Sequence, residues 1–275
     1  GNLSVESRGS KNLIKAVPHD EFPSLSGDRG KKGGFALSRQ NLLSALQSVL
    51  YAASPSMIRP ELGSVYVQLD GSSLVAVATD SFRLAEKTIP GAGKKAEAEL
   101  LIPLKHAQEL SHVLERIAGE EVEVIADESQ CAIESGGVRF VSRLIDGQFP
   151  NYKEIVPKQF STEATLLKSD LVEMLRKARV FSGNDQHVGL HVYPKRKIFS
   201  ATARSPEVGE MSDNLDAAVS GDDIDINFHI GYLADCLSSI PSDSVSLGFA
   251  GPGRAVVVRG AGEHSFMYLV MPLNR

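Results

Sequence analysis

The stretch LLIPLKHAQELSHVLERIAGEEVEVIADESQCAIESGGVRFVSRLI, residues 100–145, decides the fold because its pattern returns later in the chain. Set against residues 226–271, it keeps apolar side chains at helical spacing, with Leu104 aligned to Ile230 and later apolar positions also recurring 126 residues on. Alternating segments follow the helix in both copies and predict antiparallel strands. Apolar positions persist while polar identities change, which is typical of one fold used twice.

A second repeat supports the first. Residues 37–54 recur as residues 165–182, again with apolar positions kept. Chance matching of two amphipathic helices is the weaker alternative, because four elements recur in one order. The sequence predicts an α+β chain of repeated domains, each with the order β-α-β-β-β given twice. Three segments are predicted. Residues 1–26 lie outside both repeats, and the two domains span residues 27–156 and 157–275.

Helix boundaries can be read from local signals. Ser38 is a good N-cap for the first predicted helix, Ser169 precedes the third, and Pro241 stops the fourth. The four predicted helices span residues 39–52, 104–117, 169–180 and 231–240.

The bulk composition is that of an ordinary globular protein. The 275 residues are 42% apolar and 23% charged, enough for two cores. The net charge of −5 does not by itself indicate a nucleic-acid binder. Cys131 and Cys236 fit no ligand spacing and are interpreted as reduced core thiols of a cytoplasmic protein. No apolar run reaches the ~18 residues that span a bilayer, so no membrane partner is expected.

Motifs for catalysis, cofactors or metals are missing from the sequence. His187 and His191 share one face of a predicted strand, but no third ligand stands nearby, so no metal is expected. GAGKK, residues 91–95, follows a proline and precedes no apolar helix, which favours a solvated loop over a phosphate site. We expect no cofactor.

The segment ATDSFRLAE, residues 78–86, combines an acid, a base, hydroxyls and an aromatic ring between two apolar strands. Asp80 and Arg83 have no partners in sequence that would make a catalytic pair. The segment therefore predicts a tight turn in which Asp80 accepts from the backbone two residues on, as in Asx turns.

Basic residues on the second and third predicted helices could attract phosphates without reading sequence. A solvated basic face explains them equally well, and the fourth predicted helix carries no base. The residues concerned are Lys105, His106, His112, Arg116, Lys168, Arg176, Lys177 and Arg179.

ATDSFRLAE (78–86), LIDGQFPNY (144–152) and YLVMPLN (268–274) together resemble the bacterial DNA polymerase III beta subunits, the sliding-clamp family. The resemblance implies domains of one shared fold, with helices lining the inner face of a ring and antiparallel sheets outside. The two repeats would be the second and third domains. Residues 1–26 would be a remnant of the first, ending in DEFPSLS (20–26).

The resemblance also implies an apolar pocket between the second and third domains, where short linear motifs of DNA enzymes dock. Apolar residues from several segments would form a concave site for leucine or phenylalanine anchors. Arg83 would hydrogen-bond a peptide at the rim. The implied pocket residues are Arg59, Leu62, Thr79, Phe82, Arg83, Leu84, Pro150, Ile155, Leu269, Val270, Met271, Pro272 and Leu273.

This chain departs from the family pattern at the polar positions of the pocket. Ser81-Phe82 stands where Gly-His is frequent, and Glu154 stands where a basic residue is common. The chain ends in Asn274-Arg275, whereas in the family a basic residue usually precedes the last position. Phe82 should make the pocket more apolar and less sensitive to pH than a histidine would.

Two further sets of contacts follow from the resemblance. Val180 and Phe181 match an apolar pair that meets the first domain of a second subunit, and Ile14 matches a position on that partner surface. Because most of that surface is outside the sequence, we expect this chain not to close a ring efficiently. The implied DNA-facing residues are Arg59, Lys105, Arg116, Lys168, Arg176 and Lys177.

The implied function is a non-enzymatic processivity factor that encircles duplex DNA, slides without sequence preference and tethers polymerase. Its implied partners are a second copy of the full-length protein, the DNA polymerase III alpha subunit, the clamp loader and repair enzymes. Two other classes stay open: a peptide-binding adaptor without a DNA role, and a small-molecule enzyme using the cleft between domains.

Overall fold

A computed structural model describes residues 2–18, 34–93 and 96–273. Three sequence interpretations therefore lie outside the described residues: the segment 20–26, the two lysines at 94–95 and the terminal residues 274–275. A short hairpin opens the described part, with β1 at Leu3–Ser7 paired to β2 at Ser10–Ile14. All ten hairpin residues are exposed.

The first repeat has the predicted order β-α-β-β-β twice over. Its elements are β3 (Phe35–Ser38), α1 (Arg39–Val49), β4 (Ser64–Gly71), β5 (Ser73–Thr79), β6 (Arg83–Ile89), β7 (Ala96–Pro103), α2 (Leu104–Arg116), β8 (Glu121–Ala126), β9 (Gln130–Ser135) and β10 (Val138–Arg143).

The second repeat keeps that order and adds one short strand, β15. Its elements are β11 (Thr162–Leu167), α3 (Lys168–Phe181), β12 (His187–Tyr193), β13 (Ile198–Ser205), β14 (Gly209–Leu215), β15 (Ala217–Gly221), β16 (Ile224–His229), α4 (Ile230–Asp235), β17 (Ser244–Phe249), β18 (Val256–Gly260) and β19 (Phe266–Val270). The predicted α+β repeat is confirmed.

One antiparallel sheet joins the two repeats. Its nine strands run in the order β15-β11-β17-β18-β19-β6-β5-β4-β7 among the described residues. The joint is the β6–β19 pair, in which Leu84 lies opposite Leu269 and Arg83 opposite Val270. A four-stranded sheet completes each repeat, in the orders β10-β9-β8-β3 and β14-β13-β12-β16. Backbone pairing across the joint fixes the repeats relative to each other.

The helices pack in a row against these sheets. α1 contacts α2, α3 contacts α4, and α1 also contacts the 3₁₀ turn Cys236–Ser239 that continues α4. Ser239 Oγ donates to the Ser48 carbonyl at 3.3 Å, which ties the two helix pairs together. Buried apolar residues from both repeats form one main core beneath this row.

Several helix ends differ from the sequence prediction. The first helix is shorter than predicted, because α-helical geometry ends at Val49 and the chain continues as a 3₁₀ turn at Leu50–Ala52. Ser169 is not an N-cap, because α3 starts at Lys168 after Leu167, and the Ser169 hydroxyl hydrogen-bonds the adjacent Asp170. The fourth helix is shorter than predicted: α-helical geometry ends at Asp235 and the chain continues as a 3₁₀ turn. Ser238 Oγ donates to the Asp235 carbonyl at 3.3 Å, and such side-chain bonds compete with helical ones. The Ser38 cap is confirmed, since its side chain accepts from the amide of Asn41.

Candidate functional site

The turn between β5 and β6 is held by the Asp80 carboxylate. Its Oδ1 accepts from the amides of Phe82 at 2.9 Å and Arg83 at 3.0 Å, which confirms the predicted Asx turn. Thr79 Oγ1 donates to the Arg83 carbonyl at 2.7 Å. Ser81 takes a positive φ of 78°, a conformation that favours glycine. The turn therefore presents Phe82 to solvent at the end of the sheet joint.

Arg83 points across the joint and is already engaged. Its Nε donates to Asp80 Oδ2 at 2.9 Å, and its Nη1 donates to Asp235 on α4. The Arg83 Cζ atom also lies over the ring of Tyr232, 4.6 Å from the centroid. The side chain is 13% exposed. Arg83 thus connects the two repeats. Its bonds indicate a structural role, which differs from the predicted hydrogen bond to a peptide at the rim of the pocket.

An exposed apolar surface lies where the joint reaches solvent. Phe82 is 60% exposed, and its ring stacks on Tyr232 with centroids 6.4 Å apart. The amide of Met271 donates to the Phe82 carbonyl at 2.8 Å, and Met271 is 39% exposed. We name Phe82, Tyr232 and Met271 the junction shelf. The shelf unites residues from the turn between β5 and β6, from α4 and from the C-terminal tail.

Four predicted pocket residues lie beneath the surface. Thr79, Leu84, Leu269 and Val270 are all buried. Since facing residues alternate along paired strands, Leu84 and Leu269 belong to the second, smaller core, whereas Val270 belongs to the main core. Leu84 and Leu269 therefore lie on the opposite face of the sheet from Val270.

The segment after β10 brings two further predicted residues toward that smaller core. Tyr152 is buried with Leu84 and Leu269. Pro150 and Ile155 flank it, because the Tyr152 amide donates to the Pro150 carbonyl and the Ile155 amide to the Tyr152 carbonyl. Ile155 is 62% exposed and supplies a second apolar surface beside the joint.

The remaining predicted pocket residues behave differently from one another. Arg59 is exposed and its carbonyl accepts from the amide of Leu62, which is itself buried at 6% exposure. Pro272 and Leu273 are half-buried, and the Leu273 amide donates to the Asn227 carbonyl at 2.9 Å. The C-terminal tail therefore runs from the shelf onto β16.

Sequence reasoning missed three residues of this site: His229, Tyr232 and Asp235. His229 packs its ring on Tyr232, with centroids 4.6 Å apart. Burial lowers the pKa of His229, and the cationic neighbours His187, Arg83 and Arg179 lower it further, while Asp235 opposes them. The available signal in the sequence was the spacing of His229 and Tyr232, which stand three residues apart at the start of a short helix. The expectation of little pH sensitivity rested on Phe82 alone and overlooked His229.

The predicted DNA-facing residues differ in their exposure and in whether they form ion pairs. Lys105, Arg116 and Arg176 are exposed on α2 and α3. Lys177 is exposed but pairs with Asp213 at 3.1 Å and Glu173 at 3.4 Å.

Lys168 is different again. It is half-buried, and its Nζ donates to the Ile240 carbonyl at 2.7 Å. That bond anchors the start of α3 to the residue that ends the 3₁₀ turn after α4, so Lys168 is largely committed to structure.

The predicted subunit contacts are mostly solvent-facing. Ile14 is 53% exposed on β2, and Val180 is 61% exposed near the end of α3. Phe181 is half-buried against the main core. Two large apolar side chains are thus available for contact with another surface.

A separate cleft of about 550 Å³ lies between β4, β7 and the segment after β10. Its acidic lining includes Glu99, Asp127 and Asp146. Backbone amides of Ser129 and Gln130 lower the pKa of Asp127, so this carboxylate stays ionised and is bonded within its own loop. A carboxylate with a lowered pKa is a poor match for general acid or base work near neutral pH, so Asp127 is not placed for that role.

Cys131 and Cys236 are unpaired and buried, as predicted, and burial raises the pKa of the Cys131 thiol to about 12. Within the described ranges, no three His, Cys, Asp or Glu side chains are grouped so that they could hold a metal ion.

No helix in the described part of the chain has the length and apolarity needed to cross a membrane.

Fold and site define a protein of two repeated α+β domains on one continuous sheet, with an apolar shelf where the domains meet. Two family models match this chain: the DNA polymerase III beta subunit central domain over residues 36–151, and the C-terminal domain over residues 153–274. The chain therefore belongs to the DNA polymerase III beta subunit family.

Individual relatives agree with this assignment. The beta sliding clamp of Streptococcus pneumoniae is 29% identical over 275 residues, covering 99% of this chain and 72% of the relative. That of Vibrio cholerae is 26% identical over 273 residues, covering 99% and 74%. The solved DNA polymerase beta subunit of Streptococcus pyogenes superposes with a TM-score of 0.85 at 28% identity, covering all of this chain and 74% of that one. The Bacillus subtilis sliding clamp superposes with a TM-score of 0.88 at 24% identity, covering 100% and 72%.

Proposed function

We propose that this chain acts as a DNA polymerase processivity factor, a sliding clamp that tethers polymerase and other DNA enzymes to duplex DNA. Membership of the beta subunit family and relatives named beta sliding clamp support the proposal. The observation that carries it is the junction shelf, an exposed apolar surface on a rigid joint between domains.

The shelf suits a short peptide with apolar anchors. Phe82 and Met271 are exposed at 60% and 39%, and the β6–β19 pair holds their backbones in place. Leu84, Leu269 and the neighbouring Ile155 add an apolar floor and flank. A preformed apolar surface loses little entropy on binding, and leucine or phenylalanine anchors would bury themselves on it.

DNA contact would come from the row of helices. Lys105, Arg116 and Arg176 are exposed there and could approach phosphates, with Arg59 on its loop as a further cation. Contacts of this kind are independent of sequence and sensitive to salt. A ring that encloses duplex DNA stays on it without high affinity for the DNA. A net charge of −5 is therefore compatible with this role.

Enclosure requires a ring, and we propose that it forms from two full-length subunits joined head to tail. The exposed Ile14 and Val180, with Phe181 beneath, would lie at that contact. The proposed role is non-enzymatic, and the partners are the polymerase alpha subunit, the clamp loader and repair enzymes acting through linear motifs. The domain limits near residues 26 and 156 and the cytoplasmic location remain predictions.

Peptide titration tests the shelf directly. A fluorescent peptide of the type QLxLF is titrated with wild-type protein, Phe82→Ala and Met271→Ala. Each substitution should weaken binding about tenfold or more, as truncation of a central anchor does. Val138→Ala, on an exposed valine of β10, is the matched control. Leu84→Ala is unsuitable because Leu84 is 1% exposed and its truncation would disturb the core. Equal affinity in all four proteins would remove the shelf from the proposal.

A second experiment separates a clamp from a peptide-binding adaptor. The full-length protein is loaded with its clamp loader onto nicked circular duplex, and retention is compared with that on linear duplex of the same length. A clamp is retained on the circle and lost from the free ends. An adaptor without a DNA role gives equal, low retention on both.

A further inference from the structure

We propose that the Thr202 hydroxyl is an acyl-accepting modification site, activated by His191 and Asp225, and that its acyl donor is a small activated ester. The three side chains lie on three neighbouring strands of the sheet β14-β13-β12-β16, and none of them belongs to the junction shelf. Acylation of Thr202 and peptide docking are therefore independent properties of the chain.

Strand register brings the three side chains to one face of this sheet. His191 of β12 lies opposite Asp225 of β16, and Gly189 of β12 lies opposite Thr202 of β13. The residues of β12 that alternate with Gly189 and His191 belong to the main core, so these two positions face away from it. The side chains of His191 and Asp225 are 26% and 55% exposed. A small molecule can therefore approach this face from solvent.

Two hydrogen bonds fix the His191 ring. Its Nδ1 lies 2.5 Å from Asp225 Oδ1, and its Nε2 lies 2.8 Å from Thr202 Oγ1. The Tyr193 hydroxyl donates to the same Asp225 oxygen at 2.6 Å, and this bond raises the pKa of Tyr193. Because a carboxylate oxygen accepts, the neutral imidazole carries its proton on Nδ1, and Nε2 accepts from the Thr202 hydroxyl. A hydroxyl, a base and an acid that orients the base are the parts of an activated nucleophile.

Gly189 leaves room for the reacting carbon. The point at which a Cβ atom on Gly189 would stand is 2.9 Å from Thr202 Oγ1, 3.2 Å from His191 Nε2 and 3.1 Å from Asn227 Oδ1. Reacting atoms in a productive geometry are about 3–3.5 Å apart, so an acyl carbon near this point is within reach of the hydroxyl. Rotation about the terminal torsion of Asn227 turns its NH₂ group toward the same point, where it can donate to the oxyanion. The space suits an acyl group of a few atoms.

The proton and the leaving group balance the reaction. Thr202 Oγ1 attacks the carbonyl carbon of the ester and forms a C–O bond, while its proton passes to His191 Nε2. Asp225 stabilises the resulting imidazolium. The tetrahedral intermediate collapses when the bond to the leaving oxygen breaks, and the leaving group departs with that electron pair. His191 then returns its proton to the leaving oxygen or, for a phenolate, to water. The product is an O-acyl ester on Thr202.

The experiment treats the protein with p-nitrophenyl acetate and locates the acetyl groups by peptide mass spectrometry. Hydroxylamine then removes acetyl esters and leaves acetyl-lysine amides, which identifies acylated hydroxyls. Ser212 is a matched control within the same protein, because it lies opposite Thr202 on β14 and is more exposed. No histidine of the described residues hydrogen-bonds the Ser212 hydroxyl. We expect Thr202 to be acetylated about a hundredfold faster than Ser212, the usual contribution of a general base.

Three variants assign the roles. Thr202→Val removes the acceptor, so no ester should form at this position. His191→Gln should slow acetylation of Thr202 about a hundredfold. Asp225→Asn should also slow it, and in nitrogen-15 NMR spectra it should move the His191 proton from Nδ1 toward Nε2, because the new amide can donate to Nδ1. A purely structural role of Asp225 would not change the tautomer.

The outcomes that overturn the proposal are specific. Acetylation confined to lysines overturns it, and so does equal acetylation of Thr202 and Ser212. An unchanged rate in His191→Gln also overturns it, because the hydroxyl would then react without the base. The comparison of Thr202 with Ser212 needs no substitution, so it decides the proposal even where a variant folds poorly.

Discussion

The guanidinium of Arg83, on β6, lies 4.6 Å over the ring of Tyr232, on α4. The same side chain pairs with Asp80 in its own turn and with Asp235 on that helix. One cation therefore joins the turn of the first repeat to a helix of the second. Because the exposed Phe82 stacks on the same Tyr232 ring, this contact also fixes the junction shelf.

Arg83→Ala should lower the free energy of unfolding by about 2 kcal/mol. The value is below that of a fully buried pair because Asp235 is 41% exposed and can be solvated when its partner is lost. Urea denaturation measures the change. Arg204→Ala, which breaks an exposed pair with Glu210 at 3.1 Å, is the control and should change stability by less than about 0.5 kcal/mol. Similar losses in both variants would mean that Arg83 is only a surface charge.

The sequence predicted the repeated fold because periodicity and repeat spacing are local patterns that survive surface divergence. It also predicted the Asx turn, whose bonds lie within four residues. It could not predict that Arg83 is committed to Asp235 and Tyr232, because those partners become neighbours only when β6 pairs with β19. For the same reason, the spacing of His229 and Tyr232 could not by itself show that His229 reaches the shelf.

The backbone conformation of Ser81 favours glycine at this position of the turn. Its φ of 78° is strained for a residue with a Cβ atom. Ser81→Gly should stabilise the protein by about 0.5 kcal/mol, since relief of strain exceeds the added entropy of the unfolded chain. Ser212→Gly, on an exposed position of β14 with ordinary backbone geometry, should destabilise by about 0.5–1 kcal/mol. Thermal unfolding gives both signs, and a loss of stability in Ser81→Gly would contradict the strained turn.

His229 should also affect stability as a function of pH, in the absence of any peptide. Its pKa in the folded protein lies below the unfolded value, mainly through burial, so protons bind the unfolded chain more tightly. Stability from this group is present above pH ~6.5 and is lost as pH falls toward the folded pKa. Partial exposure keeps the effect under about 1 kcal/mol.

His229→Gln should therefore lose less stability between pH 7.5 and 5.5 than the wild type does. Urea midpoints at five pH values measure the difference. His264→Gln removes a histidine that is exposed in the loop between β18 and β19 and serves as the control. A steeper loss in His229→Gln than in the wild type would show that His229 is stabilised, not penalised, by protonation.

Arg176 and Lys177 are neighbouring cations on α3 that should contribute unequally to the binding of duplex DNA. No carboxylate of the described residues lies within ion-pair distance of Arg176, whereas Lys177 is held by Asp213 and Glu173. If α3 faces DNA, Arg176→Gln should reduce the slope of log affinity against log salt by about 0.9, the loss of one phosphate contact. Lys177→Gln should reduce it by clearly less, because the ion pairs already neutralise that ammonium. Fluorescence anisotropy of a labelled duplex between 20 and 200 mM salt (roughly the range in which such slopes are linear) measures both. Equal slopes for the wild type and Arg176→Gln would place α3 away from the DNA, and equal losses in the two variants would show that the Lys177 pairs open on binding.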